Sequence, residues 1–138
     1  MLLSAVYIVV FPVHHTERNY EVYDDYANDV LHLGSLGVMH GEYYNIHCAK
    51  KHLDVFRRNI IFFHTHRVQM HREGDFCAYN GGCLIDMKSP AFSYAPRGMK
   101  SAWGNGFAEV IVTENNHFVN IINCIGDKFT YNNKTYGG

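Results

Sequence analysis

The sequence predicts an α/β domain with a βαβ centre, a mixed sheet and C-terminal antiparallel strands. Three observations carry this. Between Asn45 and Arg57, Ile46, Ala49, Leu53 and Phe56 recur at helical spacing, while Lys50, Lys51, Asp54 and Arg57 take the opposite face. Two short apolar runs flank that segment, Leu36-Gly-Val-Met39 and Asn59-Ile-Ile-Phe-Phe63. Strand, helix and strand in that order predict a parallel pair joined by a crossover. Beyond Phe76, short apolar segments alternate with turn residues, the pattern of an antiparallel meander.

Composition bounds the reading before any motif does. At 138 residues the chain makes one domain, 1–138, long enough to bury a core. A formal net charge of −1 gives no global field for nucleic acid or an acidic membrane. The four cysteines, Cys48, Cys77, Cys83 and Cys124, form no Cys-x-x-Cys pair, so neither a zinc knuckle nor a thioredoxin motif is indicated. They read as reduced thiols in a cytoplasmic protein. The ten histidines are the unusual count.

In chain order, Met1 to Val13 is an apolar run too short to span a bilayer and without the features of a signal peptide. Its β-branched residues predict a buried strand over 5–11. His14-His15 follow Pro12 in a polar turn. Residues 17–33 place Tyr20, Tyr23, Ala27, Val30 and Leu31 at helical spacing, with Glu17, Asp24, Asp25 and Asp29 as a solvated face. Asn45 is the expected N-cap of the central helix over 45–57. Phe76 to Tyr79 is a strand stopped by a turn at Asn80-Gly-Gly82, and Cys83 to Met87 resumes it. Residues 88–106 read as an ordered surface loop. Strands come next at Phe107 to Thr113 and His117 to Ile125, and a hairpin over 128–136 turns at Asn132-Asn133.

The chemistry gathers at the strand ends. His40 follows the first strand of the βαβ unit, and His64 and His66 follow the second. The carboxyl ends of neighbouring parallel strands are where open α/β sheets place their ligands. Three imidazoles there offer neutral nitrogen ligands to a borderline metal such as Zn, Mn, Fe or Ni. The plainer alternative is that these histidines bond backbone carbonyls at the ends of strands.

His40-Gly41-Glu42, Ala49-Lys50-Lys51-His52 and Ile60-Ile-Phe-Phe-His64-Thr-His66-Arg-Val-Gln69 together resemble the C-terminal half of calcineurin-like metallophosphoesterases of phage and bacterial type. Gly81-Gly-Cys-Leu84, Trp103-Gly-Asn-Gly-Phe107 and the ending at Tyr136 extend the resemblance over residues 36–136, leaving 1–35 as an unassigned strand and helix. It implies the corresponding half of an α/β/β/α fold and hydrolysis of phosphate mono- or diesters. It further implies His40 and His64 as catalytic residues, and His40, His64 and His66 as ligands to divalent ions (Mn, Zn, Fe or Ni), two in a complete site. The substrate is expected to be a phosphate ester such as a nucleotide or nucleic acid.

The chain departs from the family pattern in two places. Phe63 stands where the family has the glycine of its Gly-His-Thr-His motif, and is expected to push that turn aside. Residues 1–35 contain none of the family's Asp-x-His, Gly-Asp and Gly-Asn-His motifs. Two cations about 3.5–4 Å apart need a bridging anion, and three neutral histidines bring no negative charge. The isolated chain is therefore expected to be weak or inactive, its missing ligands coming from a second chain. A homo-oligomer would bury surface without restoring them. Two other readings stay open: an inactive remnant serving binding or assembly, and a mononuclear histidine–metal protein. The chain also carries about one sheet's worth of strands, so one face of that sheet is expected to lie bare.

Overall fold

In the computed structural model the chain is described at residues 30–138, together with the backbone of Ile8–Pro12. Two sheets stack, and one helix covers the outer face of the first.

The strand–helix–strand centre forms as its pattern predicts. β3 (Leu36–Val38) runs into α1 (Cys48–Phe56), and β4 (Ile60–Phe62) returns parallel to β3, with Gly37 opposite Ile60 and Val38 opposite Ile61. Before them, β2 (Leu31–Leu33) pairs antiparallel with β3 through a two-residue turn at Gly34-Ser35. Gly34 has φ +59°, a conformation glycine adopts without steric cost. After β4 come β5 (Val68–Glu73) and β6 (Phe76–Gly81), an antiparallel hairpin whose second strand lies parallel to β4. The first sheet thus has the order β2-β3-β4-β6-β5.

The second sheet has the order β1-β7-β8. β1 (Ile8–Pro12) runs parallel to β7 (Gly106–Val112), and β8 (His117–Asn123) pairs antiparallel with β7. A hairpin of β9 (Lys128–Tyr131) and β10 (Lys134–Gly137) closes the chain, with Asn132 and Asn133 both at positive φ in its turn.

Side-chain alternation along β4 explains the layering. Ile60 and Phe62 face α1 and join Met39, Cys48, Ala49, Leu53 and Ala78 in one core. Ile61, with Phe63 beyond the strand, faces the other way and joins Leu36, Val38, Ala108 and Val110 in a second core between the sheets. Strands buried on both faces read as continuous apolar runs.

Several expectations are corrected. The first sheet is covered on both faces, by α1 and by β7, so its second face is not bare. Leu31–Leu33 is strand, where the spacing over 17–33 predicts the end of a helix: the Leu-His-Leu alternation and the Gly34 turn prevail over the helical spacing. The rest of that helix, with His14, His15, Glu17, Asp24, Asp25 and Asp29, falls outside the described residues. Asn80 and Gly81 continue β6, and the turn comes only at Gly82, with φ +78°. The strand expected over 83–87 reduces to a single bridge between Cys83 and Asn105. The loop after it holds a 3-10 turn at Pro90–Phe92 and a four-residue helix, α2 (Arg97–Lys100). All four cysteines are free. Among the described residues no helix is long and apolar enough to cross a membrane.

Candidate functional site

The parallel pairing of β3 and β4 continues as a backbone ladder past both strand ends. Met39 N–H donates to Ile61 O at 3.0 Å, and the His40 carbonyl accepts from Phe63 N–H at 3.1 Å and His64 N–H at 2.9 Å. This draws together the loops that carry His40 and His64. Their rings meet edge to face with centroids 4.8 Å apart, and His40 Nε2 lies 2.8 Å from His64 Nδ1, a hydrogen bond in which one imidazole donates to the other. Gly41 is required for this approach. Its φ is +107°, and a Cβ there would stand 3.0 Å from both His64 Cβ and Phe62 Cδ2.

His66 is held differently. Its backbone is left-handed, φ +56°, a conformation a histidine keeps only when its surroundings fix it. Its N–H donates to Phe63 O at 3.1 Å, and its carbonyl accepts from Gly104 N–H at 2.7 Å. Its ring packs edge to face on Trp103, centroids 4.9 Å apart. The structure thus brings His40 and His64 into direct contact and sets His66 against the tryptophan. Burial lowers the pKa of all three below the ordinary 6.5. At His40, repulsion from His64 and then His66 adds to burial, and at His66 repulsion from His64 does so. All three are neutral near pH 7.

Thr65, between the two histidines, is anchored from below. Its Oγ1 accepts from Asn80 Nδ2 at 2.5 Å and lies 3.4 Å from Cys48 Sγ. Gln69 on β5 completes this polar cluster. Its Oε1 accepts from Cys48 Sγ at 2.9 Å and Ala49 N–H at 3.4 Å, while its Nε2 donates to Ile46 O at 2.7 Å. Gln69 therefore serves the N-terminus of α1, whose N-cap is His47 with no side-chain cap of its own. The expected cap, Asn45, contributes only its carbonyl, which accepts from Cys48 N–H at 3.1 Å.

The left-handed residue of the turn is His66, and the Phe63 ring, 6% exposed, lies in the core between the sheets.

The donor set can be tested against a metal. Two nitrogens on one tetrahedral zinc at about 2.0–2.1 Å stand about 3.3 Å apart. His40 and His64, at 2.8 Å, hydrogen-bond each other instead. Among the described residues, no group of three or more His, Cys, Asp or Glu side chains converges as a metal site. By themselves, the described residues do not make a two-metal centre.

His52, in the sequence only one member of the Ala49-to-His52 motif, is wholly buried. It lies on the apolar stripe of Ala49, Leu53 and Phe56, a position its spacing already marks. Its Nδ1–H donates to Cys48 O at 2.7 Å, and its Nε2 accepts from Glu42 N–H at 3.0 Å and, more weakly, from Tyr43 N–H at 3.4 Å. The ring stacks on Phe62 with centroids 3.8 Å apart. Burial lowers its pKa below 6.5.

No protein-family model matches the chain, and no curated protein matches it. Among solved structures, the chain is similar to a crystal structure of a single mutant of Vps29 from Entamoeba histolytica, at 16% identity and a TM-score of 0.44. The similarity covers 78% of this chain and 56% of that one, so this chain spans little more than half of the structure it matches.

Proposed function

We propose that this chain is the histidine-bearing half of a metallophosphoesterase-type centre, acting on a phosphate ester such as a nucleotide or nucleic acid once a second chain supplies the remaining ligands. The contact of His40 with His64 at the ends of two parallel strands carries this reading, alongside the motif resemblance of the sequence. The chain's own residues hold the imidazoles close and neutral, ready to orient a phosphate oxygen. The missing carboxylates would bring the negative charge that paired divalent ions such as Mn, Zn, Fe or Ni need.

Elemental analysis of the purified chain, beside hydrolysis of bis-p-nitrophenyl phosphate with added Mn, tests the proposal. Weak Mn-dependent turnover that disappears in His40→Ala and His64→Ala supports it. Turnover by the chain alone is expected to be weak or absent, so metal uptake decides: no uptake by the wild type, or uptake equal in wild type and both variants, overturns it. That result would favour an inactive binding or assembly module. Light scattering addresses the partner: a monomer stable to dilution argues against an obligate one.

A further inference from the structure

We propose that His52 is the positioning residue of the His40–His64 pair: its Nε2, presented from α1, receives the Glu42 N–H and fixes the His40-Gly41 turn against His64. The functional weight of this role rests on His40 and His64 being the working pair.

The turn leaves β3 and must reverse within a few residues. Gly41 takes φ +107°, and a Cβ there would meet His64 Cβ and Phe62 Cδ2 at 3.0 Å and His52 Nε2 at 3.3 Å. The turn is therefore wedged among those three side chains, and His52 is the one that bonds it. The Glu42 N–H points at Nε2 from 3.0 Å. Without that acceptor a partly buried backbone donor would lose its partner, which costs more than the bond itself contributes.

The imidazole can serve because it cannot move. Its Nδ1–H is committed to Cys48 O at 2.7 Å, one turn back along α1, which selects the tautomer that leaves Nε2 as acceptor. Phe62 stacks on the ring at 3.8 Å and 19°, Phe56 lies 6.0 Å away at 20°, and Tyr43 meets its edge at 5.1 Å. A histidine that merely filled the core would have no need to aim a nitrogen at a loop ten residues upstream. Here α1 sets the conformation of the strand end that carries His40.

Three variants separate positioning from packing. His52→Leu and His52→Asn remove the acceptor near Glu42, whereas His52→Gln reaches the same place with a carbonyl oxygen. Amide exchange and imidazole shifts are read by NMR, with the amides of β5 and β6 as internal controls. In the Leu and Asn variants the Glu42 amide should exchange about tenfold faster, the size expected for one lost hydrogen bond, and the His40 and His64 ring signals should shift. His52→Gln should restore both. Unchanged Glu42 exchange in the Leu variant, or a Gln variant no better than Leu, overturns the proposal. Should the variants fail to fold, the wild-type ring nitrogens decide: an Nδ1–H tautomer of His52 upholds it, and an Nε2–H tautomer overturns it. None of these signals depends on metal uptake or ester hydrolysis, so the failure of either idea is visible without the other.

Discussion

The ring of Phe63 lies directly over Gly81: a Cβ on that glycine would stand 2.2 Å from Phe63 Cε1 and 2.9 Å from Cδ1. The bulk on one strand is matched by the absence of a side chain on its neighbour. Phe63 therefore belongs to the core between the sheets, although it stands next to the candidate site in sequence.

This pairing predicts a reciprocal mutational pattern. Gly81→Ala should destabilise the fold by about 1–3 kcal/mol through overpacking. Phe63→Gly should cost about 3–5 kcal/mol or more by opening a cavity. In the double variant Gly81→Ala with Phe63→Leu, the loss should fall short of the sum of the losses of Gly81→Ala and Phe63→Leu measured singly. Chemical denaturation measures all of them, and strict additivity would refute the contact. Metal affinity of Phe63→Gly should stay at the wild-type level, since the ring faces away from His40 and His64.

Stability should depend on pH through the buried histidines. The folded pKa of His52 is lowered from 6.5, chiefly by burial, so the unfolded chain takes up a proton that the folded chain refuses. The contribution is complete above about pH 6.5 and is lost as pH falls through the folded pKa. His40, His64, His66 and His117 shift the same way, each led by burial. The melting temperature should therefore hold steady above neutrality and fall with acidification, and His52→Gln should lessen the fall. A melting temperature flat from about pH 8 to about pH 5 would show that these rings are solvated.

Trp103 is the sole tryptophan of the chain, and its ring meets that of His66 at 4.9 Å. An imidazolium quenches indole emission at contact far better than an imidazole. Fluorescence should drop as pH falls through the lowered pKa of His66, and His66→Gln should abolish that step. A titration midpoint above 6.5 would contradict the burial of this ring.

Gln69 offers the acceptor that the first turn of α1 lacks on its own. Gln69→Leu should cost about 1–2 kcal/mol, in the range of a lost helix cap, with amide exchange at Ala49 rising most. Equal exchange throughout α1 would show that the side chain is incidental there.

Much of the fold is legible in the sequence, for reasons that differ by element. Ile60 to Phe62 announce a strand covered on both faces because no polar residue interrupts them, and the 3,4 spacing about Leu53 announces α1. Their order predicts the parallel pairing, and with it the meeting of His40 and His64. β5 is not legible, because Val68-Gln-Met-His-Arg-Glu73 is largely polar and lies at an edge of the sheet, where pairing needs no apolar face. The second core is hidden because Leu36, Val38 and Ile61 have to be recognised as facing Ala108 and Val110, far along the chain. Gln69 and Asn80 are silent for a related reason: their partners lie on α1 and in the His64-to-His66 turn, and no local pattern encodes a contact of that range.

The cap that reaches α1 from β5 also bears on the order in which the molecule assembles. A nine-residue helix is too short to persist alone in water, and the acceptor for its first turn arrives only with a strand that begins twelve residues beyond its end. The strand–helix–strand centre is therefore not expected to form first and recruit the rest. A peptide covering residues 45–57 should show a coil-like circular dichroism spectrum, and one extended to residue 81 should gain helix only as its hairpin forms. The helix and the hairpin would thus enter the native state in a single cooperative step.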